Sequence, residues 1–385
     1  MDRSKWEYKK LGDICILLNG FAFKSEKYVD NGIRVMRITN VQKGEIVDDD
    51  PKFYPMSSQS EIQRYMLKEN DLLVSLTGNV GRVGLLQREL LPAALNQRVA
   101  CLRLKGDSTD LRYLFHLMNS DLFENECIVN SQGIAQKNMS TKWLSDYKLP
   151  VPPKEDQQRI VAELDCLNEM IAVKQEQLKE FDKLAQSIFY DMFGDECKKK
   201  FLGDFCEVGT GSTPSRNNES LYYGGNIPWV KTTEVQNCNI YVTEETITKA
   251  AIEQTNCKVY PIGTILMAMY GQGKTRGQVA KLMIEAATNQ ACAAIIPNDK
   301  ECKIDFLYEY LLLSYDKIRD MARGGNQANL NLQLVRSIPV PLPPLSLQQQ
   351  FAEKISAIEA QKELVKQSIA ETQALLDYTM DKYFG

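Results

Sequence analysis

The chain has 385 residues, 44% hydrophobic and 25% charged, with a formal net charge of −4. That length exceeds what one hydrophobic core usually holds, so two domains plus connecting structure are expected. No run approaches the ~18 apolar residues of a membrane helix, and the opening MDRSKWEYKK is too polar for a signal peptide, so the expected location is the cytoplasm, with no membrane partner.

Ten cysteines lie between Cys15 and Cys302 without a CxxC pair, and His116 is the single histidine. Zinc spacings are therefore missing, and the cysteines read as reduced, buried small hydrophobes. His116 falls in Leu111–Met118, an apolar helical stretch that suits a satisfied, buried imidazole better than a catalytic base.

In chain order, residues 1–153 read as a first α/β domain. Short β-branched runs (Ile33–Ile38, Asp71–Leu76, Arg98–Leu104) are broken by Gly, Asn and Pro, and the helical run Leu111–Met118 follows. The diproline Pro152-Pro153 then stops the chain, because proline removes a backbone donor. Residues 154–194 follow as a long helix without Gly or Pro up to Met192. Ile160, Leu164, Leu167, Ile171, Leu178, Phe181, Ala185, Ile188 and Met192 advance in steps of four and three, with Lys174 the polar exception. Such a helix reaches about 57 Å at 1.5 Å per residue.

The chain then repeats itself. Leu11-Gly12-Asp13 returns as Leu202-Gly203-Asp204 and Phe193-Gly194 as Phe384-Gly385, both at an offset of 191. Ile33–Arg37 matches Ile227–Lys231, Asn96-Gln97 matches Asn289-Gln290, and Leu149–Pro153 matches Val340–Pro344. Residues 195–344 thus form a second α/β domain, with strands at Ile227–Lys231, Thr264–Tyr270 and Ala291–Ile296 and a helix at Phe306–Tyr315. Residues 345–385 are the second long helix, with Phe351, Ile355, Ile358, Val365, Ile369, Leu376 and Tyr383 on the seam and Lys362 as an exception. The fold class is mixed α/β, two related domains separated by two long coiled-coil helices. A pseudo-twofold repeat makes those helices antiparallel; packing of each on its own domain is the alternative.

Charge follows the same division. Basic against acidic residues number 21 to 19 over 1–150, 5 to 9 over 151–194, 16 to 16 over 195–345 and 4 to 6 over 346–385. The excess acid sits in the helices, which leaves the two domains electrostatically free to approach nucleic acid.

Pro-Val-Pro-Pro at 150–153 leads into Glu155-Asp156-Gln157-Gln158-Arg159-Ile160, and Pro-Leu-Pro-Pro at 341–344 leads into Gln348-Gln349-Gln350-Phe351. With the paired Leu-Gly-Asp openings, these junctions make the chain resemble the specificity subunits of Type I restriction-modification systems. The resemblance implies a non-catalytic reader of a bipartite, asymmetric double-stranded DNA target. Its paired helices would recruit two methyltransferase subunits and, with them, motor-nuclease subunits. Gln157, Gln158, Arg159, Gln348, Gln349 and Gln350 are the helix residues implied to meet partners; Arg159 has no arginine counterpart in the second copy. The resemblance implies no cofactor for this chain, since S-adenosylmethionine, ATP and magnesium would belong to the partners.

Arg and Lys suit guanine edges, Asn and Gln adenine. The DNA-binding candidates in the first domain are Lys24, Arg37, Thr39, Asn40, Asn79, Arg82, Gln97, Gln136 and Asn138. Those in the second are Thr213, Arg216, Lys231, Thr232, Gln272, Lys274, Arg276, Gln290, Gln327 and Asn329. Ala268–Thr275 fits a relaxed phosphate-loop pattern, but strand-like residues follow where a helix N-terminus is needed, so a turn presenting Lys274 and Arg276 to DNA fits better. A catalytic Asn or Asp ahead of Pro-Pro and an aromatic is missing; the diprolines follow Val151 and Leu342. A scaffold that does not touch DNA would also satisfy the repeat and the helices.

Overall fold

The computed structural model describes residues 3–131, 138–194, 197–271, 274–321 and 329–385. They fall into two compact units, residues 1–175 with 367–385, and residues 176–366. Both long helices have 40 residues, Lys154–Phe193 and Leu345–Phe384, and each gives one half to each unit.

In the first unit a four-stranded antiparallel sheet runs in the order Cys15–Asn19, Val99–Leu104, Leu72–Ser75, Val83–Leu85. A second sheet orders Phe53–Tyr54, Ile33–Met36 and Ala93–Leu95, the last pair parallel. Glu7–Lys10 pairs with Lys148–Val151 and closes the domain beside the helix start. Val74, Leu102, Tyr113, Leu114, Phe123, Ile160 and Leu164 share one core. Leu376, Met380, Tyr383 and Phe384 join it from the end of the second long helix. The start of one helix thus lies along the end of the other, which makes the pair antiparallel.

The second unit repeats the topology. Cys206–Thr210, Cys292–Pro297, Ile265–Ala268 and Val279–Leu282 stand in the same order, with Cys238–Ile240 added in parallel at the edge. Glu245–Ile247, Tyr223–Val230 and Ala286–Thr288 form the second sheet, extended by Val259–Tyr260, and Lys199–Phe201 pairs with Pro339–Pro341. Phe193 meets Phe351 at a ring separation of 5.3 Å, again joining the end of one long helix to the start of the other.

The helix at Leu111–Met118 has the bounds read from the sequence, while the second domain's helix is Ile304–Leu313, starting two residues earlier than expected. His116 is buried and bonded to Asp165 at 2.6 Å, the satisfied imidazole that an apolar helix face suggests. Seven of the ten cysteines are buried and all ten are free thiols. Among the described residues no helix is long and apolar enough to cross a membrane.

Candidate nucleic-acid interface

At one end of the first unit's sheets, five connecting segments are tied by backbone hydrogen bonds. Phe21 N donates to Leu95 O at 2.8 Å and Gln97 N to Phe21 O at 3.0 Å. Asn96 N donates to Met36 O at 3.1 Å, Leu76 N to Arg98 O at 2.9 Å, and Met139 N to Leu76 O at 2.8 Å. The segments around Phe21, Arg37, Asn79, Gln97 and Asn138 therefore share one edge. Gly20 makes this possible: a Cβ there would stand 2.2 Å from the Asn96 carbonyl carbon.

The second unit builds the same edge from different side chains. Ser212 N donates to Thr288 O at 3.0 Å, Asn289 N to Val230 O at 3.1 Å, Met269 N to Ala291 O at 2.8 Å, and Leu330 N to Met269 O at 3.0 Å. These bonds place Arg37 opposite Lys231, Arg98 opposite Ala291 and Asn138 opposite Asn329 in the repeat. The strand registers place Arg82 opposite Gln278.

The hairpin of the second unit has Ala268 N donating to Gln278 O and Gly277 N to Ala268 O, both at 2.9 Å. Strand Val279–Leu282 follows it, not a helix, so Lys274 and Thr275 lack the amide cradle that a phosphate loop requires. Gly277 and its counterpart Gly81 hold φ of 86° and 83°, a conformation glycine adopts without strain.

Of the first-domain candidates, Thr39, Asn79, Gln97 and Asn138 are exposed at the edge, and Arg37 and Arg82 are half-buried. Arg82 donates to Gln42 Oε1, and Asn79, turned to satisfy both groups, accepts from Arg82 Nη1 and Nη2 at 3.2 Å. Lys24 is exposed three residues beyond Phe21 and has no ion-pair partner among the described residues. In the second domain Thr213, Arg216, Lys274, Gln290 and Asn329 are exposed, and Lys231 and Arg276 half-buried. Gln136, Gln272 and Gln327 lie outside the described residues.

Four of the sequence candidates need correction. Asn40 is buried because its amide is spent on the turn: Oδ1 accepts from Arg37 N at 2.9 Å and Nδ2 donates to Val47 O at 2.8 Å. Thr232 is buried with its hydroxyl donating to Asn289 Oδ1 at 2.9 Å. Gln157 and Gln348, which the resemblance sets against partners, have no exposed surface, since each ties its helix start to the preceding domain. Gln158, Arg159, Gln349 and Gln350 remain exposed on the helices.

The acidic residues of the edge were missed, because a search for base readers looks for cations and amides. Lys231 Nζ lies 2.6 Å from Glu244 and 3.2 Å from Glu245, and Glu245 also holds Arg216 at 2.6 Å. Partial burial alone would raise the Glu245 carboxyl, but the hydrogen bonds from Arg216 and Lys231 bring it below its usual range. Glu244, then Glu245, hold the Lys231 ammonium above its ordinary value. In the first unit Asp50 binds Lys52 at 2.6 Å and Arg37 at 3.4 Å, and Lys52 is the larger cause of its lowered pKa. The pairs Asp49-Asp50, just ahead of one edge strand, and Glu244-Glu245, at the start of the other, are the signal in the sequence.

Comparison with known proteins places this geometry. The family model for the Type I restriction modification DNA specificity domain matches twice, over residues 3–181 and 194–374. The chain is 27% identical over 187 residues to the MjaVIII specificity subunit of Methanocaldococcus jannaschii, covering 48% of this chain and 44% of that protein. It is 32% identical over 166 residues to the EcoAI specificity subunit of Escherichia coli, covering 42% of this chain and 28% of that one. The matches thus span less than half the length of these relatives. The crystal structure of a Type I restriction-modification system S subunit from M. genitalium has the same fold, with a TM-score of 0.57 at 16% identity, covering 99% of this chain and 96% of that chain. With both halves matched by the one model, the chain belongs to the Type I restriction modification DNA specificity domain family.

Proposed function

We propose that the chain is the DNA-reading subunit of a Type I restriction-modification complex, each domain meeting one short half of a bipartite, asymmetric target. One observation carries the reading: the same hydrogen-bonded edge is built twice and carries different side chains. A common backbone frame gives both domains one way of approaching a duplex, while Arg37 against Lys231, Arg82 against Gln278 and Arg98 against Ala291 give them different bases to read. Phosphate contacts position such a protein and base-edge contacts specify the sequence.

The chain itself catalyses nothing in this reading. Exposed Gln158 and Arg159 on one helix, and Gln349 and Gln350 on the other, face methyltransferase subunits. Those subunits and the motor-nuclease subunits hold S-adenosylmethionine, ATP and magnesium. The complex works in the cytoplasm.

Genome-wide methylation profiling of a host with and without this gene tests the proposal. A methylated sequence of two unlike short halves with an unread spacer is expected to vanish with the gene. A single uninterrupted site, or a perfect palindrome, sinks the two-reader account, and copurification with a methyltransferase but no footprint on DNA would point to a scaffold.

A further inference from the structure

The cations best placed to read DNA are not free. Lys231 follows the central strand of the second domain's smaller sheet, and its ammonium is shared by Glu244 and Glu245. Glu245 takes Arg216 on its other oxygen, at 2.6 Å. Arg216 is fixed further by Glu219 at 3.1 Å and by Tyr223, whose ring centre lies 3.9 Å from the guanidinium carbon. Arg37, the repeat counterpart of Lys231, donates to the Asp50 carbonyl and lies 3.4 Å from its carboxylate.

The two locks are not inherited position by position. Trp229 pairs with Glu245, whereas its counterpart Val35 donates its backbone N–H to the Lys52 carbonyl, so the register opposes Glu245 with a lysine. Each domain has nevertheless placed a carboxylate on the chain entering the neighbouring strand, within reach of the same cation. Stability is a poor explanation for Asp50 and Glu244, whose side chains are 69% and 64% exposed, because exposed ion pairs contribute little to folding; Glu245 is more buried, its side chain 27% exposed.

Electrostatics on a duplex supplies a better one. A free Lys or Arg at this edge would take any phosphate, and phosphate binding is blind to sequence. A carboxylate beside it repels phosphate and holds the cation's side chain in one place. Only a base edge that offers well-directed acceptors, such as guanine O6 and N7, repays moving the cation off its carboxylate.

Resting on the DNA-reading function above, we propose that Glu245 with Glu244, and Asp50 in the first domain, are specificity-determining residues that keep Arg216, Lys231 and Arg37 off the phosphates of non-cognate DNA. They act through the cations they hold and are positioning residues.

The test uses the full chain assembled with its methyltransferase partners, and duplexes with and without the methylated sequence, titrated over a range of salt. Glu245→Gln and Asp50→Asn are expected to raise affinity for non-cognate duplex roughly 3- to 10-fold and change cognate affinity less. The slope of log K against log salt on non-cognate duplex should steepen by about 0.9 for each phosphate gained. Glu244→Gln, at an exposed position where folding is not at stake, should move the same way by less. Unchanged non-cognate affinity and salt slope overturn the proposal, and so does an equal rise on both duplexes. Failure of the unsubstituted complex to prefer its methylated sequence would instead remove the DNA-reading function on which it rests.

Discussion

Gln157 and Gln348 occupy the same place in the two units and make the same three hydrogen bonds. Gln157 Oε1 accepts from Asp110 N at 2.7 Å, and Nε2 donates to Ser108 O at 3.1 Å and Pro152 O at 2.8 Å. Gln348 Oε1 accepts from Lys303 N at 2.8 Å, and Nε2 donates to Glu301 O and Pro343 O, each at 2.9 Å. In both units one buried amide stitches the residue preceding a domain helix to the turn that starts a long helix.

A buried backbone group left without a partner costs free energy that no water can restore. Gln157→Leu and Gln348→Leu should each lower unfolding free energy by about 2–4 kcal/mol, with local hydrogen exchange rising at 108–112 or 301–305 respectively. Gln158→Leu, one residue away and exposed, should change stability by less than about 0.5 kcal/mol. Equal effects from Gln157→Leu and Gln158→Leu in denaturant titrations would refute the strut role.

The domain helices carry unlike groups at one equivalent position, His116 and Glu309. Burial holds the His116 imidazole below its ordinary 6.5, against the pull of Asp165, with Arg112 and Asp110 also facing it. The unfolded chain binds that proton below about 6.5 while the folded chain does not, so this contribution to stability is full above that pH and is lost on acidification. Glu309 has the opposite sign. Burial first and then Glu359, opposed by Lys281 and Lys362 and aided by Asp305, push its carboxyl from 4.5 up to about 7. Its contribution is full below 4.5 and is lost as pH rises through 7.

Hydrogen exchange resolved by peptide should therefore show the first unit's core losing protection between pH 7 and 5, with His116→Gln flattening the loss. In the second unit Glu309→Gln should gain on the unsubstituted chain as pH rises from 5 to 7.5, by an amount on the order of 2 kcal/mol. A Glu309→Gln benefit that is the same at both pH values would show that the carboxyl titrates normally.

Most of the architecture was legible because it rests on patterns that physics enforces over many residues. The steps from Ile160 to Met192 define a helix seam whatever its partner, and the paired Leu-Gly-Asp and proline motifs reveal the duplication. Side-chain roles were less legible, because residue type does not tell which way a side chain turns. Asn40 and Thr232 look like base readers until their hydrogen bonds show the first closing a turn and the second tied to Asn289. Gln157 and Gln158 are neighbours of one type, yet the period of the helix buries the first and exposes the second. Asp50 and Glu245 reach their cations across strands, a relation fixed by register alone.

The seam exceptions have partners across the helix pair. Lys174 Nζ donates to Thr372 Oγ1 at 2.7 Å and to Ser368 O at 3.3 Å, while Lys362 Nζ meets Asp182 at 2.8 Å and Glu359 at 2.7 Å. Polar seam residues fix register at a cost in stability. Lys174→Met and Lys362→Met should therefore be neutral or raise unfolding free energy by up to about 1 kcal/mol, whereas Thr372→Val, which leaves the Lys174 ammonium only its longer bond to Ser368 O, should lower it by about 1 kcal/mol. Thermal and denaturant unfolding of the three variants decides this, and a large loss from Lys174→Met would make the lysine a stabilising element instead.

Gln97 and Gln290 give the most direct test of base reading. Each follows an asparagine whose side chain is fixed, Asn96 Oδ1 accepting from Arg98 N at 3.1 Å and Asn289 Oδ1 from Ala291 N at 3.2 Å. The backbone is thus held while the glutamine beside it stays exposed, and a glutamine amide matches the N6 and N7 of adenine. Gln97→Ala should relax discrimination at one base of one half-site by about 1–3 kcal/mol, and Gln290→Ala at one base of the other half. Lys24→Ala removes an exposed cation with no carboxylate partner among the described residues, so it should weaken all duplexes alike and flatten the salt slope by about 0.9. Exchanging residues 195–344 for the matching domain of a relative should change only one half of the methylated sequence. Adding seven residues to both long helices should lengthen the unread spacer and leave both halves alone. The decisive measurement is methylation profiling of each variant: if Gln97→Ala and Gln290→Ala relax the same base, or the domain exchange alters both halves, the two domains do not read separately.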